Sequence, residues 1–535
     1  MALAGCGGGG GKGKPGSGST TPAAPAAAPA PAGTVTVALS SAPVSKNLDY
    51  GDDFNTALDG TWSGSDLGHA TVYLQVVDSG NLFTIPAVQP APAGGTFHYT
   101  VSLPVNASGD RTGTLTVRAC RDAACTQLFS NASASISYQV RIAAVGEWET
   151  LQRDATHNGY VPIRLDPARF AKAWEWTVWP QRASFGSSIG RPATGPGGVF
   201  FSLLYLNGSY YADTLVALDE ATGNLNWAES LLTDNASAGS ALSPAAAYGH
   251  VYSVIRGGNT LLTAFDATTG AVKFKYAQPS LPDAPVLAPT LFGGSAYFFA
   301  GPRGNEIHAA DATTGVGHWS RARIGDLAAT PAVGQDHVYY YASPTLEILD
   351  RATGNTIASL VDPASDGSRP PGSTAPVLGS RGNVIVNSYN ATLRSRKLSS
   401  FNIANRLWEW SSDQDYQSLP AVAGGVIYAM RSSTSIPTLD AVDEATGHVL
   451  WSWSPPAADG QKYAINNVVA TRNLVFVNTL GDNDPGYLWA IDLSTRQAVW
   501  RYPGSGYTAI SANRTLYLVP DIHDQWAKLT AIKLR

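Results

Sequence analysis

Cysteine is nearly missing from this chain: Cys6, Cys120 and Cys125 are its only three in 535 residues. No thiol lies beyond residue 125, so no disulfide and no thiolate ligand can form there. Charge is scarce too. Only 14% of residues are Asp, Glu, Lys or Arg, the formal net charge is -5, and no basic cluster occurs outside the first residues. That balance leaves no electrostatic footprint for nucleic acid. No apolar run reaches the roughly 18 residues that a membrane helix needs, so any membrane link has to be an anchor. Helical periodicity is rare. In its place stand 54 Gly, 34 Pro, 23 Tyr and 14 Trp in a sequence that is 44% hydrophobic. Short strands and tight turns use such a composition, and the length allows two or three domains with ample core.

Near the N-terminus, "LAGC" (Leu3 to Cys6) resembles the lipobox of bacterial lipoproteins, whose cysteine becomes the lipid-modified first residue of the mature chain. The resemblance implies a lipid anchor on Cys6. Gly7 after it, rather than Asp, implies the periplasmic face of the outer membrane in a Gram-negative cell. Five residues before Cys6 are too few for an export signal, so a longer precursor is expected. Gly7 to Gly33 is low-complexity Gly, then Ala and Pro, a tether that cannot bury a core. Cys120 and Cys125 stand in "TVRACRDAACTQLF", where one alternating strand ends and another begins. A hairpin disulfide fits that spacing and leaves Cys6 as the odd thiol; zinc is the alternative, with no His or third Cys near enough.

Residues 34–145 alternate in period two, as in "ATVYLQVVD" and "TFHYTVSLP", with Gly, Pro, Asn and Asp between. About seven such strands predict an immunoglobulin-like β-sandwich, a spacer or adhesion module with no residue suggestive of chemistry.

Residues 146–535 repeat. "ALDEATGNLNW" (Ala217 to Trp227) has a small residue, Asp, Thr-Gly and Trp at offsets 0, 2, 5, 6 and 10, and "AVDEATGHVLW" (Ala441 to Trp451) matches it. So do "AFDATTGAVKF" (Ala264 to Phe274), "AADATTGVGHW" (Ala309 to Trp319) and "ILDRATGNTIA" (Ile348 to Ala358), the last two with Trp319 and Ala358 at the final offset. "AIDLSTRQAVW" (Ala490 to Trp500) has Arg496 in place of glycine, and "SFNIANRLW" reads as a copy two residues shorter that ends on Trp408. Upstream of each runs a second piece, such as "RPATGPGGVFFS", "TPAVGQDHVYYY" and "LPAVAGGVIYAM", eight in all. A period of roughly 40 to 50 residues built of short strands marks a propeller, whose blades cannot bury their faces alone. The last small-residue strand, "LTAIKLR", has no tryptophan strand after it, whereas "KAWEWTVWP" has Trp174 with no aspartate motif before it. Pairing the two closes an eight-bladed ring without an exposed edge.

These repeats resemble the PQQ-like repeat, with its AxDxxTGxxxW tryptophan-docking motif, found in quinoprotein dehydrogenases and in the lipoprotein of the outer-membrane β-barrel assembly machine. The fold expected is all-β: an eight-bladed β-propeller after an immunoglobulin-like sandwich. The motif residues Asp219, Gly223, Trp227, Asp266, Gly270, Phe274, Asp311, Gly315, Trp319, Asp350, Gly354, Trp408, Asp443, Gly447, Trp451, Asp492, Trp500 and Trp174 are expected to be structural. Thr-Gly makes a turn, Asp accepts bonds across it, and the ring packs between blades, worth at most about 5 kcal/mol for ~200 Å² of buried surface.

Quinoproteins of this fold clamp the quinone with a disulfide between adjacent cysteines and hold calcium near the channel. No Cys-Cys pair exists here, so no cofactor and no catalytic residue are assigned. "GSSIG" (Gly186 to Gly190) fits a nucleophile elbow around Ser188 but is followed by no helix, and "GDNDPG", with Asp482 and Asp484, lacks the distal Glu of a calcium loop. Asp154, His157 and Asn158 in "RDATHNGY" offer polar groups near the ring entrance, read as caps. The expected function is that of a non-enzymatic, lipid-anchored scaffold that binds another envelope protein, with a divergent quinoprotein dehydrogenase as the alternative. Clustered carboxylates and a stacked indole at the channel mouth would favour the enzyme; exposed apolar and aromatic loop residues would favour the binder.

Overall fold

A computed structural model describes residues 33–105, 108–178, 188–207, 210–231, 243–253, 260–277, 288–300, 305–322, 330–368, 375–431, 436–482, 485–520 and 528–534. Cys6, nearly all of the tether, Gly186 and Asp484 lie outside the described residues. The chain parts into two compact units. Among the described residues, one takes in 33–44, 55–103 and 112–138, and the other takes in 45–54, 104–111 and those from 139 onward.

In the N-terminal region eight strands form two sheets, one of three strands and one of five. Thr96–Pro104 and Leu128–Ile142 bury every second residue over most of their length, so each gives one face to a core and one to water. Cys120 and Cys125 are joined by a disulfide. Asp122 sets the loop between them by accepting the backbone N–H groups of Ala124, Thr126 and Gln127.

The second unit contains eight antiparallel sheets among the described residues. In chain order they are sheet 1 (188–230), sheet 2 (245–277), sheet 3 (290–322), sheet 4 (332–361), sheet 5 (377–411), sheet 6 (421–453), sheet 7 (461–503) and sheet 8 (506–534 with 170–177). Middle strands are covered on both faces by neighbouring sheets and are continuously apolar, as in Ser295–Ala300, which is buried at all six residues. Sheet 8 takes its outer strand from far upstream: Lys528–Leu534 pairs with Phe170–Thr177 and sets Ala531 opposite Trp174.

The same pairing recurs around the ring, because each third strand carries a bulge one residue after its small residue. Ala217 faces Trp227, Ala264 Phe274, Ala309 Trp319, Ala441 Trp451 and Ala490 Trp500. Each aspartate holds its turn: Asp219 Oδ1 accepts the N–H and hydroxyl of Thr222 at 2.8 and 2.7 Å, and Asp350 holds Thr353 in the same way. The rings then dock on the next sheet. Trp174, Trp227, Phe274 and Trp319 lie against Gly223, Gly270, Gly315 and Gly354. The indoles of Trp174, Trp227 and Trp319 donate at 3.0 Å to the carbonyls of Glu220, Ala267 and Arg351, each the residue after the aspartate.

The fifth copy corrects the sequence reading. Ser400 faces Trp410, not Trp408, so the copy is full length with Asn402, Asn405 and Arg406 in the motif places. Trp410 packs on Gly447 and donates to Glu444 O at 3.2 Å, whereas Trp408 is 42% exposed. A carbon added at Gly447, where φ is 74°, would stand 2.5 Å from the Trp410 ring, so only glycine fits both the turn and its lid.

Where the motif is eroded, other chemistry takes over. Arg496 stands over the Trp451 ring at 6.0 Å in place of the missing glycine, and Trp500 meets Phe170 edge-on at 5.2 Å. Sheet 4 has Ala358 where a ring should be, facing Ile348. Its seam with sheet 5 is held by buried Asp362, which accepts hydroxyls from Tyr341 at 2.7 Å, Ser399 at 3.1 Å and Ser388. Charge-assisted hydroxyl bonds to a buried carboxylate thus stand at the seam where other sheets place a ring.

Candidate functional site

Two parts of this unit are candidates for a site: the middle of the ring and its outer strands. The middle is approached by residues 147–163, which follow the N-terminal strands and precede the closing strand of sheet 8. Asp154, His157 and Asn158, expected as caps at a ring entrance, sit in this segment. Asp154 Oδ1 accepts the Thr156 N–H at 3.0 Å and its hydroxyl at 2.5 Å, and Asn158 accepts the Tyr160 N–H at 3.0 Å. His157 is fully buried between sheets, with Nδ1 at 3.2 Å from Pro376 O and Nε2 at 3.4 Å from the Thr290 hydroxyl. Burial holds its pKa down at about 4, so the ring is neutral. Gln152, also fully buried, was missed from the sequence; its amide donates to Pro420 O and Val468 O and accepts from Asn467.

Carboxylates gather at one end of the segment, as the enzyme alternative requires, but two of them are engaged in structural bonds. Glu147 accepts the Thr194 hydroxyl at 2.6 Å and the Ala512 N–H at 3.1 Å, and Glu220 accepts from Asn513 at 2.6 Å and from Ser511. Burial, reinforced by the charge of Asp154, lifts Glu149 from its ordinary 4.5 to about 7. No three His, Cys, Asp or Glu residues among those described are grouped to hold a metal ion. A quinone does not fit the residues present. No cysteine is available to clamp it, and Trp148, Gln152 and His157 fill the middle of the ring at zero exposure. Ser188 lies in a two-residue strand opposite Leu204, not at the start of a helix, and Asp482 is engaged by Lys462.

Glu149 and His157 give opposite pH dependences. A raised carboxyl pKa favours the folded chain while the proton is on, so that stability falls as pH rises from about 4.5 to about 7. A depressed His pKa favours it while the ring is neutral, so stability falls as pH drops from 6.5 to about 4. Glu149→Gln should therefore stabilise the protein at pH 8 by up to about 3 kcal/mol and have little effect at pH 4.5. Denaturant midpoints at the two pH values check this, and an equal shift at both would refute the assignment.

The outer strands are different. Leu407 and Trp408 on sheet 5, Val449 and Leu450 on sheet 6 and Val499 on sheet 7 are 36–60% exposed. The strand Val449–Trp453 has no charged residue to guard its edge. Beside it, between the outer strands of sheets 6 and 7, lies a groove of about 640 Å³ lined by Trp453, Trp489, Val499 and Arg501. Arg501 stacks over Tyr487 and Trp489 at 4.8 and 5.4 Å and pairs with Asp459 at 3.1 Å. The apolar and aromatic groups expected on loops thus stand on strands, and one of them, Trp408, is the ring that docking does not use.

The chain is similar to a europium-containing methanol dehydrogenase, at 13% identity and a TM-score of 0.46 over 70% of this chain and 89% of that one. It is similar to the quinohemoprotein alcohol dehydrogenase of Comamonas testosteroni at 12% identity and 0.44, over 73% and 80%. The designed Ika8 protein is similar at 13% identity and 0.45, over 66% and 98%. No curated protein matches in sequence. A family described as outer membrane protein assembly factor BamB matches residues 157–393 and 292–502, together well over half of the chain. The PQQ-like propeller repeats, the docking turns and this match agree, and the chain belongs to that family.

Proposed function

We propose that this chain is a lipid-anchored scaffold of the cell envelope, without catalytic activity of its own, that binds another envelope protein in outer-membrane protein assembly. Membership in the BamB family carries the reading. It is supported by the lipobox at Cys6, by Glu147 and Glu220, whose carboxylates are spent on structural bonds, and by the exposed Leu407, Trp408, Leu450 and Val499. Leu225, Val272 and Val361 on sheets 1, 2 and 4 are exposed as well, but an exposed indole among apolar groups on three successive sheets is what a protein partner covers.

The test is site-specific crosslinking in intact envelopes from cells that express the full-length precursor. Photoreactive residues at Trp408, Leu450 and Val499 should each trap an envelope protein, while one at Lys275 on sheet 2 should not. Cys6→Ala should release the chain from membranes and weaken the crosslinks. Equal capture at all four positions, or none, would refute the assigned face. The same purified protein should show no saturable change in pyrroloquinoline quinone absorbance with calcium, and micromolar binding would restore the dehydrogenase reading.

A further inference from the structure

Residues 147–163 have no repeat of their own, yet they bond to the first strand of all eight sheets. The contacts fall at one position of the repeat. The backbone N–H groups of Thr194, Ala246, Val333, Leu378, Val422 and Ala470 donate at 2.7–2.9 Å to the carbonyls of Trp148, Glu149, Ala155, Thr156, Asn158 and Gly159. Five of those donors stand two residues after Pro192, Pro244, Pro331, Pro376 and Pro420, the proline that these recurring pieces share. The two other sheets are reached by different groups: the Thr150 hydroxyl donates to Pro289 O of sheet 3 at 2.7 Å, and the Gln152 N–H to the Tyr507 hydroxyl of sheet 8 at 3.3 Å. A segment that touches eight first strands lies on the axis around which they stand.

We propose that the axis of this ring is a peptide-binding channel whose resident ligand is the chain's own segment 147–163. The channel reads the ligand chiefly through its carbonyls, which any sequence offers, and selects it through three buried side chains, Trp148, Gln152 and His157. The ligand is bent to present those carbonyls. Gln152, Arg153, His157 and Gly159 all have positive φ, a conformation that costs a free chain energy and that the surrounding bonds sustain. Gly159 has Val468 O 3.0 Å from where a side chain would begin. The segment also continues into Phe170–Thr177, the outer strand that closes sheet 8, so the stretch that fills the axis leads directly into the one that closes the ring.

The inference stands or falls with a cleavage experiment on the full chain. Recognition sites for a specific protease are inserted at the exposed positions between Ala143 and Ala144 and between Ala168 and Arg169. After both cuts under native conditions the fragment that carries 147–163 should elute with the ring on size exclusion and separate only in denaturant. A fragment that elutes free, while the ring keeps its melting temperature, overturns the proposal. If the insertions prevent folding, amide hydrogen exchange of the unaltered chain decides. The amides of Thr194, Ala246, Val333, Leu378, Val422 and Ala470 should exchange with the slowest group, and exchange at the rate of exposed turns would overturn it.

Discussion

Deleting Leu529 to Arg535 should abolish the folded ring, not merely weaken it. Lys528–Leu534 is the only strand between Thr515–Pro520 and Phe170–Thr177 in sheet 8, so its loss leaves two unpaired edges facing each other. Leu529, Ala531, Ile532 and Leu534 are all at zero exposure. Loss of three large aliphatic side chains at about 2–5 kcal/mol each would by itself match the 5–15 kcal/mol that typically separates a folded domain from its unfolded chain. The freed edges would then pair between molecules. The truncated chain should accumulate as aggregate or melt at least about 10 °C lower by circular dichroism. A soluble truncated protein that melts within a degree or two of the intact one would show that the ring closes elsewhere.

The next largest effect separates two tryptophans only two positions apart. Trp410→Ala should cost about 3–5 kcal/mol, because it removes a ring that is 7% exposed, packed on Gly447 and bonded to Glu444 O. Trp408→Ala should stay within about 0.5 kcal/mol, since that ring is 42% exposed on the outer strand. Its loss should appear in partner binding instead. Urea unfolding of the two variants measures the contrast. Equal losses, or a larger one for Trp408, would restore the shorter fifth copy.

That pair also shows how far local pattern carries. The docking turn is legible because its bonds are short-range: Asp219 to Thr222 spans three residues and the Gly223 N–H to Asp219 O four. Where Thr and Gly are absent, as at Asn405 and Arg406, the signal weakens and the first tryptophan met is taken for the docking one. Counting to offset 10 from Ser400 would have reached Trp410. What selects it physically is the bulge between Ser400 and Phe401, which turns one indole toward sheet 6 and leaves the other outside. The replacement at the next seam was not legible at all: Asp362, Ser388 and Ser399 lie 11 to 37 residues apart and carry no motif.

From the sequence alone came the all-β class, the repeat, the pairing of the first and last strands of the ring and the lack of thiols in it. The class and the lack of thiols rest on composition, the docking turn on spacing within a dozen residues, and the closing pair on counting strands along the repeat, all of which are written along the chain. Only the tertiary structure decided what the ring surrounds. Trp148 meets Thr194 across 46 residues and Gln152 meets Tyr507 across 355, so the segment's partners are assembled from every sheet at once and none is its neighbour in the chain. A residue's place on the axis follows from ring closure, and closure is a property of all eight sheets together.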